Sequence, residues 1–168
     1  MKKKILFMMA AALCAGEISL AAVPLDSAAL GGITSGMTQE DVESIYGQAD
    51  VLLPYELDSR EGGYVSQIGY GKTVVIWMTG DSAFATPKVD LIVVSANNGF
   101  ATPEGIHVGS TSQEVIRVYG QPDFNYNNRG NTIAPGKHAK TLMYKTIEGR
   151  HRMTFKIEKG IVTEIRVS

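Results

Sequence analysis

The 168-residue chain holds one cysteine, Cys14, one tryptophan, Trp77, and three histidines. Cys14 lies in an N-terminal segment where Lys2, Lys3 and Lys4 precede an apolar stretch from Ile5 to about Ala15 and small residues follow at Ser19 to Ala22. This is the layout of an export signal, expected to span residues 1–21 and to be cut at Ala21 or Ala22. Without it no thiol remains, which excludes disulfides, cysteine-bound zinc and a cysteine nucleophile and leaves stability to a hydrophobic core. No later apolar run reaches the ~18 residues of a membrane span, so the processed protein is expected not to cross a membrane and to reside in the periplasm or be secreted. A net charge of −1 carries no basic excess, which argues against a nucleic-acid partner. The length suits one compact domain or two small ones and excludes most large enzyme architectures. Glycine is abundant instead, at 18 residues against a usual ~7%, and demands many turns or positive-φ positions.

An internal similarity accounts for much of that glycine. Residues 32–50 lie over residues 105–123 at an offset of 73, with nine of 19 positions identical. The identities include Gly36/Gly109, Thr38/Thr111, Val42/Val115, Tyr46/Tyr119 and Gly47/Gly120. The offset returns where Val89, Ile92 and Val94 lie over Val162, Ile165 and Val167. Two units are therefore expected, residues 22–95 and 96–168.

Each unit is predicted to open with a short helix. Thr111 to Glu114 is a capping box, and Thr38 to Asp41 its weaker counterpart. Val115, Val118 and Tyr119, like Val42, Ile45 and Tyr46, fall on one helical stripe. Gly47 and Gly120 then stand where a helix exit favours a left-handed residue, and residues 25–30 are expected to add a helical turn upstream. Strands are predicted from Val51 to Leu57, Tyr64 to Tyr70, Lys72 to Met78 and Lys88 to Ser95, and then at Phe124 to Tyr126, Lys140 to Lys145, Arg150 to Ile157 and Ile161 to Val167. The fold class these elements suggest is α+β, two tandem helix-then-antiparallel-meander repeats with short helices packed on one face of an antiparallel sheet.

The pattern Gly-Ile-x-x-Gly-x-Thr-x-x-x-Val-x-x-x-Tyr-Gly-x-x-Asp, followed by strands that end in Val-x-x-Ile-x-Val, resembles the unit shared by the β-lactamase inhibitory protein (BLIP) and the outer-membrane assembly lipoprotein BamE. The resemblance implies a BLIP/BamE-like arrangement whose open sheet face grips a protein.

Motifs for chemistry fail on inspection. Gly71-Lys72-Thr73 lacks the upstream glycine and following helix of a phosphate loop. Gly80-Asp81-Ser82 is followed by Ala83-Phe84 where a serine nucleophile needs glycine. His107, His138 and His151 lack ligand spacing. No catalytic residue, metal site or cofactor is expected. The two units differ more instructively. Glu164 and Arg166 alternate with Ile165 and Val167, whereas the matching strand places Leu91 and Val93 beside Ile92 and Val94, so both of its faces are apolar. Something is expected to cover the second face: the other unit, a second copy forming a homodimer, or a partner protein. The candidate contact residues are Trp77, Asp81, Phe84, Leu91 and Val93, with Tyr126 in the expanded loop from Asn125 to Lys137. The function expected from this is an exported, non-enzymatic protein-binding module of a bacterial envelope. A structural or assembly factor of that envelope is the alternative, and a small ligand-binding protein stands behind it.

Overall fold

Thr38 and Thr111 start the two helices, α1 (Gln39–Tyr46) and α2 (Ser112–Tyr119), in a computed structural model that describes residues 28–58, 62–127 and 141–168. Each threonine hydroxyl accepts from the amide three residues on, and the carboxylate there, Asp41 or Glu114, accepts the threonine amide at 2.8 and 2.7 Å. These reciprocal bonds satisfy amides that a helix start otherwise leaves unpaired. Both helices stop after eight residues, at Gly47 and Gly120, with φ of 79° and 76° and ψ of −171° and −160°. The expected left-handed exit is right in the sign of φ and wrong in ψ, which falls in a region that only glycine enters readily.

Strands make up about half of the remaining described residues. β1 (Ala29–Leu30) and β2 (Ile33–Thr34) form a two-stranded ribbon, where residues 25–30 had suggested a helical turn. β3 (Val51–Leu57), β4 (Tyr64–Tyr70), β5 (Val74–Gly80), β6 (Lys88–Val94), β7 (Phe124–Tyr126), β8 (Thr141–Lys145), β9 (Arg152–Glu158) and β10 (Ile161–Val167) form one antiparallel sheet. Its order is β3-β4-β5-β6-β10-β9-β8-β7. The junction is the pairing of β6 with β10, which sets Val94 opposite Ile165, Val93 opposite Arg166 and Ile92 opposite Val167.

This overturns the expected α+β architecture of helix-then-meander repeats. Among the described residues the protein is mostly β: eight strands in one sheet, two in another, and two short helices. The physical reason is length. Eight helical residues span about 12 Å, whereas eight strands spread over about 34 Å, so the helices cannot form a layer of their own. β1, β2 and the segment around Phe100 and Ile106 complete the cover.

The covered face carries the core. Ile68, Ile76, Ile92, Val167, Met153 and Tyr144 form one cross-strand row, each at most 1% exposed. Burial of each apolar side chain contributes roughly 1.5–3 kcal/mol. Val42 and Val115 reach the same core from the helices. Two bulges hold the pattern in phase. Met78 pairs with Val89 while Trp77 pairs with Leu91, leaving Asp90 extra, and Thr163 is extra in the same way between Val162 and Glu164. The extra residue keeps Val89 with Ile92, and Val162 with Ile165, on the buried side.

Aromatic clusters tie the helices to the sheet. Tyr119, Tyr144 and Phe155 lie 5.5–5.9 Å apart between ring centres, and the Tyr144 hydroxyl donates to the Gly120 carbonyl at 3.1 Å. The Tyr70 hydroxyl reaches the Gly47 carbonyl at 2.9 Å in the other half. The Tyr119 hydroxyl bonds Thr102 Oγ1 at 2.6 Å and the Glu104 carboxylate. Burial, reinforced by Glu104 at Tyr119 and by Asp123 at Tyr144, pushes both phenols far above their ordinary range.

Truncating Phe155 to Ala is expected to cost about 3–5 kcal/mol in urea unfolding, from lost transfer energy and a residual cavity. Because both buried phenols have folded pKa values raised above the unfolded value of 10.0, their contribution is complete below pH 10 and is lost as pH rises beyond it. The urea midpoint should therefore fall above about pH 10, and less steeply in Tyr144→Phe.

Candidate functional site

The face opposite the core divides at the β6–β10 junction. On the β3–β6 side it is apolar: Leu53, Gln67, Trp77 and Leu91 form one cross-strand row, and Val51, Gly69, Val75 and Val93 the next. Trp77 is 39% exposed and Leu53 48%, while Val75, Leu91 and Val93 are half-buried. Beyond the junction the second row continues as Arg166, Thr154 and Met143, and the surface turns polar. There Arg166 Nε meets Glu164 Oε1 at 2.6 Å and Lys156 Nζ lies 3.6 Å from Glu158. Pairs this exposed contribute little stability, but they leave a shallow charged groove of about 600 Å³ lined by Lys156, Lys159, Glu164 and Arg166. Among the described residues both helices and the β1–β2 ribbon pack on the core side. The second half thus continues the sheet sideways instead of folding across the first.

A hairpin projects from the apolar side. Between β5 and β6, Asp81 and Ser82 are exposed and Phe84 is 99% exposed. The hairpin is fastened to the edge strand: the Tyr55 hydroxyl donates to the Ser82 carbonyl at 2.8 Å, with the Tyr55 ring 5.5 Å from that of Tyr64. A Cβ on Gly80 would run into the Tyr55 hydroxyl, so glycine there permits the close approach of the ring. Slight burial, and then the Asp81 carboxylate, push the Tyr55 phenol above its ordinary value.

Of the residues singled out from the sequence, Trp77 and Leu91 are direct cross-strand partners, Val93 lies in the adjacent row, and Asp81 and Phe84 occupy the hairpin that joins β5 to β6. Tyr126 is separated from them. It belongs to β7, the opposite edge strand, five inter-strand steps or about 24 Å from β5. Ala21 and Ala22 lie outside the described residues, as do His138 and most of the loop that ends at Lys137. Sequence reasoning placed β3 as a strand but missed its contribution to the exposed face. Val51, Leu52, Leu53 and Leu57 are 42–58% exposed because β3 is an edge. Pro54 was the available signal, since proline is confined to edges and bulges of a sheet, and a bulge falls between Leu53 and Glu56.

His107 Nδ1 is 2.9 Å from the Val108 carbonyl, Gly71-Lys72-Thr73 is the β4–β5 turn, and the described residues contain no group of three His, Cys, Asp or Glu able to hold a metal. No described helix is long and apolar enough to cross a membrane. Compared with family models, curated proteins and solved structures, the chain finds no match in any of the three.

Phe84 touches so little that Phe84→Ala is expected to shift unfolding free energy by no more than about 0.5 kcal/mol, whereas Ile76→Ala, directly beneath Trp77, should cost about 2–5 kcal/mol; chemical denaturation distinguishes the two. Tyr55→Phe removes the Ser82 bond and should accelerate limited proteolysis within residues 81–87 while lowering global stability by about 1 kcal/mol.

Proposed function

We propose that the protein is an exported, non-enzymatic protein-binding module that uses the open face of β3–β6 and the β5–β6 hairpin. The observation that carries this reading is the accessible row Leu53, Trp77, Leu91, extended by Phe84. A stripe of aliphatic and aromatic side chains left open on a sheet whose other face already holds the core marks an interaction surface. A half-exposed indole beside Leu91 is the kind of anchor that dominates interface energetics. The polar half of the same face supplies a rim instead of a second anchor.

Recovery of partners from an envelope extract tests it. Trp77→Ala and Phe84→Ala should each reduce recovery about tenfold or more, the effect of losing a central anchor, while Lys156→Ala on the polar half should not. Equal recovery by all variants overturns the reading.

A further inference from the structure

Charge is divided between the two halves far more sharply than the overall value suggests. Residues 23–95 contain ten Asp or Glu against three Lys or Arg, a net −7; residues 96–168 contain six against ten, a net +4. Among the described residues the first half holds eight Asp or Glu against two Lys and the second six against seven Lys or Arg, with β3–β6 and β7–β10 on opposite halves of one sheet. The fold also places carboxylates around the open apolar rows. Glu56 lies on β3 opposite Val65, Asp81 follows β5 at the base of the Phe84 hairpin, and Asp90 is the exposed bulge residue beside Leu91. Among the described residues of this half the cations are Lys72, in the β4–β5 turn, and Lys88, which ends the cross-strand row Glu56, Val65, Thr79 and adds a minor favourable charge to Asp41 of α1; one lysine thus stands against three carboxylates at this border.

We infer that the occupant of the β3–β6 face is a cationic protein segment, one that presents Lys or Arg around aliphatic or aromatic side chains. This rests on the docking reading above and adds the chemistry of the partner. An apolar stripe bordered by Glu56, Asp81 and Asp90 rewards a segment whose cations reach the border while its apolar groups meet Leu53, Trp77 and Leu91. The same field raises the encounter rate of such a segment and lowers it for an acidic one. The second half offers no comparable acidic border: Arg166 and Lys156 there are paired with Glu164 and Glu158, and Lys159 adds a further cation, so the first half is the more favourable surface for a cationic segment. Bulge geometry contributes as well: inserting Asp90 between Val89 and Leu91 brings a carboxylate to the edge of the apolar row without displacing a core residue.

Trp77 is the sole tryptophan and lies on the proposed face, so its fluorescence reports occupancy directly. Three soluble twelve-residue peptides serve as probes on the full chain, sharing two Leu and two Phe and differing only in whether the remaining positions are Lys, Ser or Glu. The Lys peptide is expected to shift Trp77 emission, to bind at least tenfold tighter than the Glu peptide, and to weaken about tenfold from 50 to 500 mM salt. Asp81→Lys combined with Asp90→Lys should weaken it similarly. Without any peptide, caesium should quench Trp77 more effectively than iodide, relative to their action on free N-acetyltryptophanamide. Equal binding of the Lys and Ser peptides, or preferential quenching by iodide, overturns the cationic partner while leaving the docking face in place. Failure of every peptide to perturb Trp77 also overturns it, and the envelope recovery experiment then decides the docking reading separately. A dimer that forms at low salt and is lost in Leu91→Glu makes the occupant a second copy and overturns the inference as well.

Discussion

The pairing of β6 with β10 is the constraint on which the rest of the structure depends. Two four-stranded stretches, each drawn from one half of the chain, become one sheet because Ile92, Val93 and Val94 pair in register with Val167, Arg166 and Ile165. The pairing sets which side chains share a face across the entire width, since a slip of one residue at the junction would turn one half over relative to the other. In the observed register the buried row runs unbroken from Ile68 to Tyr144, and both helices pack on a common core.

The same register brings Val93 opposite Arg166 on the other face, and there the two halves have different character. One side keeps aliphatic side chains and an indole open, and the other carries paired charges. The second half shows that an equivalent strand serves the core with Glu164 and Arg166 facing out, so the buried face does not by itself dictate the apolar side chains on the open face of β5 and β6. The hairpin anchored by Tyr55 extends that surface beyond the sheet.

Local structure was legible in the sequence to a large degree. Capping threonines and terminal glycines marked both helices, and β3, β4, β7 and β10 fall where alternation and turn residues put them. The Val-x-x-Ile-x-Val spacing held a further signal. It breaks a period of two, and the break is the bulge at Asp90 and again at Thr163. The joining of the halves was not legible, because a strand with two apolar faces reads the same whether it is central in its sheet or covered by another layer. The expectation of α+β repeats failed for that reason and because eight-residue helices are too short to make a layer. Within the candidate site, Trp77, Leu91 and Val93 could be grouped from their strand pattern. The grouping of Tyr126 with them could not survive, since its distance depends on strand order, and the exposure of Leu52 and Leu53 depends on β3 being an edge.

The junction also imposes an order on assembly. Its partners are separated by about 73 residues of chain, so this pairing carries a large loop-closure cost and belongs among the slow, non-local steps of folding. A chain emerging from its N-terminus completes β3 through β6 well before β10 exists. For that interval β6, which is central in the finished protein, is an edge strand of seven residues with apolar side chains on both faces and an unpaired row of backbone donors and acceptors. The strand that unites the finished sheet is thus the one most exposed to mispairing while the protein is being made.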